Sequence, residues 1–335
     1  MNLSERPSPI RPLVSVIVTT YQHAPFIEQC LQGILTQQIT FPVEVLVGED
    51  ESTDGTRAIC ERIAREHPER IRLFLQRRKD VIYINGKPSG RANLLHVLSE
   101  AKGKYIARCE GDDHWTDPLK LQRQVEALEA DHTAVACFTN AWNQRGEERT
   151  EYLDGSYTKI PGPRVEQREL VNAQGLPTCT FICRADRLFP LPGVLRHTPT
   201  ADTILYAHLS NFGHFIYLPR ITAVRHMHPG GIHSLTSVAN RLLVTLRSLP
   251  YMDQVSHGKQ HGVIAARELY EARAGWAVCL KEHRPELAEL CWRILARRRR
   301  EAGWNLTTTA RNYLKAYWPK TERAMGRHWD RLLGR

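Results

Sequence analysis

The sequence predicts an α/β fold built on a mainly parallel, twisted sheet with helices on both faces. Short β-branched runs alternate with segments whose apolar residues recur at helical spacing. The first strand is expected at 13–18, and the helix after it, within 24–38, carries apolar residues on one face. Further strands are predicted at 43–47, 71–75 and 104–109, each followed by a helical or polar segment.

The 335 residues have room for one large α/β domain and a helical appendage. After residue 134 the alternation loosens, with strands expected near 134–138, 179–183 and 215–218. Residues 1–12 are predicted to be a mobile lead-in. Residues 13–237 would form the main domain, in two halves over 13–130 and 131–237. Residues 238–335 would form a basic helical C-terminal region.

Composition predicts a globular protein of the cytosol. Hydrophobic residues make up 42% of the chain, which is enough for a sizeable core. No apolar run reaches the length of a membrane span, and residues 1–12 lack the apolar centre of a signal peptide. Cys179 and Cys183 would lie roughly 13 Å apart in a strand, too far for a disulfide. All eight cysteines are therefore expected to be reduced.

The C-terminal region is distinctly basic. Residues 285–335 carry +7 of the formal net charge of +10 and four of the seven tryptophans. Helices of this composition can lie on an anionic membrane surface, or they can pack an apolar face on the rest of the protein. Nucleic-acid binding is not expected, because the acidic stretches 49–54 and 110–113 would repel phosphates.

Both acidic stretches directly follow predicted strands, and ligands of parallel sheets bind at the carboxyl ends of strands. Carboxylates placed this close repel one another unless a cation or a reaction holds them. Residues 1–32 contain no glycine, which excludes a dinucleotide fingerprint, and no phosphate-binding GxxxxGK[ST] loop occurs. A bound phosphate must therefore be held by a metal or by basic side chains.

Three ordered motifs carry a family resemblance: 13-LVSVIVTTYQHAPFIEQCLQGILTQ-37, 49-EDESTDGT-56 and 103-GKYIARCEGDDHWTDPLKLQRQ-124. Over residues 12–235 the chain strongly resembles the family 2 glycosyltransferases. The resemblance implies a GT-A fold with a nucleotide-binding half (13–130) and an acceptor half (131–237). It also implies transfer of a sugar, with inversion, from a nucleoside diphosphate donor, for which a UDP-sugar is favoured. A divalent cation, Mg²⁺ or Mn²⁺, would assist.

The resemblance assigns the nucleotide base to the ends of the first two strands. Thr19 and Tyr21 match residues that line the base, and Asp50 matches the carboxylate that binds it. A carboxylate accepts well from a ring N–H, so the chemistry agrees. Asp50 and Asp54 could instead serve only as turn and cap residues, and for Asp54 this simpler interpretation is preferred.

The segment 110-EGD-112 lies where the family keeps its D-x-D metal motif. Asp112 is the predicted metal ligand, Glu110 would reach the ribose or a metal-bound water, and Asp113 would lie beside the site. A solvated turn is the alternative. Arg91 and Asn93 match a stretch that would contact the diphosphate or donor sugar, although a surface arginine and a cap are the competing interpretations.

The acceptor half supplies the remaining assignments. Asp202 is the predicted catalytic base, with a helix N-cap as the alternative role. His228 matches an extra ligand of the metal or diphosphate, although His226, two residues earlier, could take that place. Trp115 could stack on the acceptor sugar or could simply be a core tryptophan.

These assignments predict an inverting, metal-dependent glycosyltransferase of bacterial cell-surface polysaccharide or lipopolysaccharide synthesis. Its acceptor would be a glycan or lipid-linked glycan, and residues 285–335 would offer a contact with the inner face of the plasma membrane. The competing hypothesis is a non-catalytic basic protein that binds membrane or nucleic acid on a degenerate transferase fold. Intact acids at Asp50, Asp112 and Asp202 argue against degeneracy.

Overall fold

The structure is a computed structural model that describes residues 11–155, 160–172, 175–231 and 237–298. Most of the predicted lead-in and residues 299–335 of the basic region lie outside the described residues. The chain divides into two compact units, Met1–Leu235 and Thr236–Arg335. Among the described residues, no helix is long and apolar enough to cross a membrane.

The strands lie in the first unit. They are β1 (Val14–Thr20), β2 (Val43–Glu49), β3 (Ile71–Leu75), β4 (Ile82–Ile84), β5 (Lys87–Ser89), β6 (Tyr105–Glu110), β7 (Asp113–Trp115), β8 (Ala134–Arg145), β9 (Glu148–Glu151), β10 (Arg164–Val165), β11 (Ile182–Arg184) and β12 (His214–His226).

Helices surround the sheet and form the second unit. They are α1 (Ile27–Leu35), α2 (Thr56–Glu66), α3 (Arg91–Ser99), α4 (Lys120–Ala130), α5 (Gln167–Asn172), α6 (Ala185–Leu188), α7 (Asp202–Leu209), α8 (Val238–Val255), α9 (His261–Glu282) and α10 (Pro285–Arg297).

Ten of the described strands form one large, mostly parallel sheet whose main order is β10-β12-β8-β11-β6-β1-β2-β3, and β4 and β5 form a separate antiparallel pair. β1 pairs in parallel with β2 and β6, and β12 pairs in parallel with β8. β11 is antiparallel to its neighbours β6 and β8, while β7 and β9 pair with β12 and β8 outside the main order. The predicted α/β class with a mainly parallel sheet and a helical C-terminal region is confirmed.

The register places three strand ends side by side. Thr19 of β1 lies level with Glu110 of β6, and Thr20 lies level with Glu49 of β2. Because β1 is buried on both faces, its run of valines and isoleucine forms the centre of the core. The loops that follow these three strands therefore emerge at one edge of the sheet, where the acidic stretches lie.

Local structure departs from the predicted pattern at two places. Residues 178–180 form a 3₁₀ turn, so Cys179 precedes the strand that contains Cys183. Both thiols are buried and free. The sequence 116-TDP-118 predicts a helix cap at Thr116 or Asp117. Helix α4 instead begins at Lys120 without a side-chain cap, and Asp117 accepts from the Leu119 amide in the turn before it (2.9 Å).

The second unit packs three helices together. The apolar face of α10 is buried, and a Cβ atom at Gly275 of α9 would lie only 2.7 Å from the Cys291 sulfur. Glycine is needed there for the close approach of the two helices. The carboxylate of Glu268 pairs with Arg297 and Arg298. Within residues 285–298 the basic region thus packs on helices of its own unit, and the membrane prediction for 299–335 lies outside the described residues.

The core contains one buried lysine. The Lys120 side chain is 1% exposed, its ammonium donates to Gln124 (2.7 Å), and it lies 4.0 Å from the centre of the Trp115 ring. Burial lowers the pKa of Lys120 to about 8. An ammonium out of water is costly, and the indole face beneath it offsets part of that cost.

Replacing Lys120 with methionine should therefore stabilise the protein at pH 7 by roughly 1–3 kcal/mol. The pKa of Lys120 is lower in the folded than in the unfolded state. The free-energy cost of burying its charged ammonium is therefore complete below pH 8 and disappears as the pH rises toward 10. Denaturant unfolding of wild type and Lys120→Met at pH 7 and 9.5 should show the difference shrinking. Lys87→Met, at an exposed position, serves as the control. If the stability difference between Lys120→Met and wild type does not change with pH, the lowered pKa of Lys120 would be contradicted.

Candidate active site

The loops after β1, β2 and β6 are joined by backbone hydrogen bonds at one edge of the sheet. The Gly111 amide donates to the Thr19 carbonyl (2.9 Å), and the Asp50 amide donates to the Thr20 carbonyl (3.1 Å). Only glycine fits at 111, because a Cβ atom there would lie 2.6 Å from the Thr20 hydroxyl. The motif 110-EGD-112 is therefore held directly against the end of β1.

Side chains after β1, β2 and β3 form a cluster with one aromatic face. Asp50 is buried and accepts from Arg78 (2.7 Å), whose guanidinium lies 4.2 Å from the centre of the Tyr21 ring. Burial raises the pKa of the Asp50 carboxyl, and the Arg78 guanidinium opposes that shift. Tyr21 remains 39% exposed. The cluster offers a planar face beside a carboxylate acceptor, which suits a heterocyclic base.

A tight turn at Gln22 fixes the direction of the loop that follows β1. Gln22 has φ +56°, and its side-chain oxygen accepts from the amides of Thr53 and Asp54. Asp54 in turn accepts from the Ala24 amide (3.0 Å) and from Thr56 at the start of α2. These contacts agree with the structural role that we prefer for Asp54, and they hold the chain that carries His23.

Three potential metal donors meet beside this loop. The Nε2 atom of His228 lies 3.1 Å from the Asp112 carboxylate, and Nε2 of His23 lies 3.8 Å from the same oxygen. Within the described residues, one ligand atom from each of the three side chains lies within 4.8 Å of the others. The Phe26 ring packs on His228 at a centroid distance of 4.7 Å. A carboxylate and two imidazoles can together bind a divalent cation.

His226 is turned toward a different partner. Its Nε2 atom lies 3.1 Å from Nδ1 of His114, and the two rings are stacked. Burial lowers the pKa of His114 to about 4. The geometry thus favours His228 over His226 as the metal ligand, because the ring nitrogen of His226 is already engaged.

Arg108 links two acids of the site. Its guanidinium donates to Glu110 (2.8 Å) and to Asp202, while Thr178 donates to the other oxygen of Asp202 (3.1 Å). Asp202 occupies the first turn of α7 and is 37% exposed. Its carboxylate is consequently fixed in orientation but open to solvent. Burial raises the pKa of Glu110 to about 7, although Arg108 acts in the opposite direction.

Asp113 lies away from solvent behind the site. One of its oxygens accepts from the His226 amide (3.1 Å), which joins β7 to β12. Burial raises the pKa of its carboxyl, and the nearby Asp112 and Glu110 add to the shift. Asp113 therefore binds the strand that ends at His226 and leads to His228, and its position does not support a direct contact with a nucleotide-sugar donor.

The predicted contacts of Arg91 and Asn93 with the diphosphate or the donor sugar are not supported. Both side chains are buried. Arg91 donates to Thr198 (3.0 Å) and to the Leu195 carbonyl, and Asn93 donates to the Gly48 carbonyl (2.8 Å). They fasten α3 to a neighbouring loop and to β2, because buried backbone carbonyls require donors.

Stacking of Trp115 on an acceptor sugar is not supported either. Trp115 is 4% exposed, its indole donates to the Cys179 carbonyl (2.6 Å), and its backbone lies against Gly33 of α1. The alternative of a core tryptophan therefore applies.

Sequence reasoning did not identify three residues of the site: His23, Arg78 and Arg108. Each lies near the carboxyl end of a parallel strand, in the loop after β1, in the turn after β3 and within β6. A search for basic and imidazole side chains at those ends would have included all three, because ligands bind there.

Comparison with known proteins agrees with this geometry. The family model for glycosyl transferase family 2 matches residues 15–188. An uncharacterized protein of Mycobacterium tuberculosis is 31% identical over 229 residues, which are 65% of this chain and 60% of that protein. The chain therefore spans about 60% of the length of this curated relative.

Two solved structures share the fold. The mannosyltransferase PcManGT from Pyrobaculum calidifontis, in complex with GDP-Man and Mn²⁺, matches with a TM-score of 0.55 at 21% identity, over 96% of this chain and 90% of that one. TarS of S. aureus, in complex with UDP-GlcNAc, matches with a TM-score of 0.53 at 17% identity, over 94% and 91% of the two chains. The fold is thus that of the GT-A enzymes, and the chain belongs to glycosyl transferase family 2.

Proposed function

We propose that the protein is an inverting, metal-dependent glycosyltransferase that moves a sugar from a nucleoside diphosphate to an acceptor hydroxyl. One observation carries the proposal. The cluster of Tyr21, Asp50 and Arg78 and the imidazole donors around Asp112 lie after neighbouring strand ends, and Arg108 of β6 joins Glu110 to Asp202. A nucleotide sugar needs sites for its base, its diphosphate and its reacting carbon.

The donor is proposed to bind with its base at Tyr21 and Asp50. Asp50 would accept from a ring N–H, and Arg78 would move with the base or stack beside it. Uracil and guanine both carry such an N–H. The neighbours in complex with GDP-Man and UDP-GlcNAc make both nucleotides suitable probes, and we favour a UDP-sugar.

The residues present fit a divalent cation. Asp112 and His228 provide a carboxylate oxygen and an imidazole nitrogen at mutual hydrogen-bonding distance, which a cation could bridge. The Nε2 atom of His23 lies 3.8 Å from the same Asp112 oxygen. A bound cation would neutralise the charge of the diphosphate leaving group.

Asp202 is proposed as the general base. As the acceptor oxygen bonds to the anomeric carbon, the bond from that carbon to the diphosphate breaks, and Asp202 takes the hydroxyl proton. Arg108 and Thr178 fix the carboxylate without covering it. Attack opposite the leaving group would invert the configuration at that carbon.

The acceptor is proposed to be a glycan or lipid-linked glycan of a bacterial cell-surface polysaccharide or lipopolysaccharide. This assignment rests on the family resemblance and on the partial exposure of Asp202, which an acceptor hydroxyl could reach from solvent. A non-catalytic binding protein is the competing function. It would not explain why the oxygens of Asp202 are oriented while the carboxylate stays open to solvent.

Asp112→Asn should remove the metal dependence of nucleotide binding, because a neutral amide is a poor ligand for a hard cation. In wild type, UDP or GDP should raise the melting temperature more with Mn²⁺ than without it. The variant should show the same small shift in both conditions. Asp186→Asn, at an exposed position, is the matched control. Retention of the metal-dependent shift in Asp112→Asn would remove Asp112 from the metal site.

Asp50→Asn should weaken the donor nucleotide by roughly 10–100-fold, since a hydrogen bond to a charged group contributes about 1.5–3 kcal/mol. The rate at saturating donor should change much less, because Asp50 lies at the base and not at the reacting carbon. Calorimetric titration with UDP and GDP measures the first effect. Unchanged affinity for both nucleotides would show that the nucleobase binds elsewhere.

Asp202→Asn should lower turnover by about 10²–10⁴-fold while donor affinity barely moves. The amide keeps the shape of the carboxylate but cannot take the proton. Release of nucleoside diphosphate, with glycan acceptors and the donor that stabilises the protein, measures turnover. A near-normal rate would refute the base assignment, whereas a large loss of donor affinity would give Asp202 a structural or donor-site role.

A further inference from the structure

We infer that His23 is a third protein ligand of the metal, and that the site consequently selects a first-row transition metal over Mg²⁺. The inference deepens the proposed function, on which it rests for the presence of a metal. His23 lies in the loop after β1, and the family motifs assign no role to it.

The position of His23 is built by the fold. Its amide donates to the Thr56 hydroxyl (2.8 Å), and the preceding Gln22 adopts a left-handed conformation that its own side-chain hydrogen bonds stabilise. A non-glycine residue at positive φ is uncommon and has a local cost. The loop is therefore held so that the imidazole faces Asp112 and not solvent.

The three donor atoms lie close enough together to converge on one metal ion after small side-chain movements. Two nitrogens lie 3.1 and 3.8 Å from the same Asp112 oxygen. Ligands about 2.1 Å from an octahedral ion at right angles lie roughly 3 Å apart. The rings of His23 and His228 are perpendicular, with centroids 6.0 Å apart, so neither ring blocks the other nitrogen.

The other ring nitrogen of His23 is enclosed by protein. Nδ1 is buried without a hydrogen-bond partner within the described residues, and Gly111 lies against it, since a Cβ there would lie 3.1 Å from Nδ1. Nε2, which lies near Asp112, is therefore the nitrogen of His23 that can bind a metal.

The ligand types determine the metal preference. Mg²⁺ takes oxygen ligands and is usually bound through one or two carboxylates, waters and phosphate oxygens. Imidazole instead suits transition metals, and two imidazoles with one carboxylate leave positions open on one side. A diphosphate and water could fill those positions. With His23 the site has two nitrogens and one oxygen, which favours Mn²⁺, Co²⁺ or a later ion over Mg²⁺.

The test measures metal binding and not activity. Unbound Mn²⁺ is followed by electron paramagnetic resonance as protein is added, with and without UDP or GDP, and Mg²⁺ is then added as competitor. Wild type should hold Mn²⁺ against at least a hundredfold excess of Mg²⁺. Loss of one of three protein ligands in His23→Gln should weaken Mn²⁺ binding by roughly tenfold or more. His23→Asp should lower the preference for Mn²⁺ over Mg²⁺, because it substitutes an oxygen ligand.

His132→Gln provides the matched control, since His132 is an exposed histidine. It should bind both ions as wild type does. A second measurement needs no variant: with ¹⁵N-labelled histidine, the bound Mn²⁺ of the wild-type protein should show coupling to two imidazole nitrogens. Coupling to a single nitrogen would overturn the inference even if the His23 variants fail to fold.

The outcomes separate this inference from the proposed function. Wild-type affinity for Mn²⁺ in His23→Gln, or a wild-type preference for Mg²⁺, would overturn the role of His23 and leave a metal-dependent transferase standing. Binding of neither ion by the wild type, with UDP or GDP present, would overturn both the inference and the proposed metal dependence.

Discussion

The electrostatic cost of three neighbouring carboxyl groups at the end of β6 is the constraint on which the site depends. Each of the three is accommodated differently. Glu110 pairs with Arg108, and Asp112 faces two imidazoles. Asp113 is buried against the His226 amide, where burial raises its pKa. Repulsion between the acids is thereby limited, and the only salt-bridge partners of Asp112 within the described residues are the two imidazoles proposed to bind a cation with it.

The contacts of Arg108 and Asp113 connect the fold to the proposed chemistry. Arg108 holds Glu110 and Asp202 at the same time, so the proposed base is positioned by the strand that leads into the proposed metal site. Asp113 anchors β7 to β12, and β12 leads to His228. Displacement of β6 would therefore move the proposed base, and displacement of β12 would move His228, a proposed metal ligand.

Much of the fold could be predicted from the sequence alone. Hydrophobic periodicity identifies β1, β2, β3 and β6 and the helices between them, because burial on both faces demands continuous apolar strands. The two acidic stretches could be placed at one edge from their position after those strands. Motif matches predict Asp50 as the residue that binds the nucleotide base and Asp112 as the metal ligand, and those roles remain predictions that the geometry supports.

What the sequence by itself determined was the order of strands and helices and the family motifs, since both depend on neighbours along the chain. Only the tertiary structure decided which side chains face the site. Trp115 turns into the core because β7 pairs with β12, more than a hundred residues later. Arg91 and Asn93 donate to backbone carbonyls of distant segments, those of Leu195 and Gly48. His23 lies near Asp112 because Thr56 of α2 holds its loop. Side-chain direction depends on such long-range contacts, which local sequence patterns do not encode.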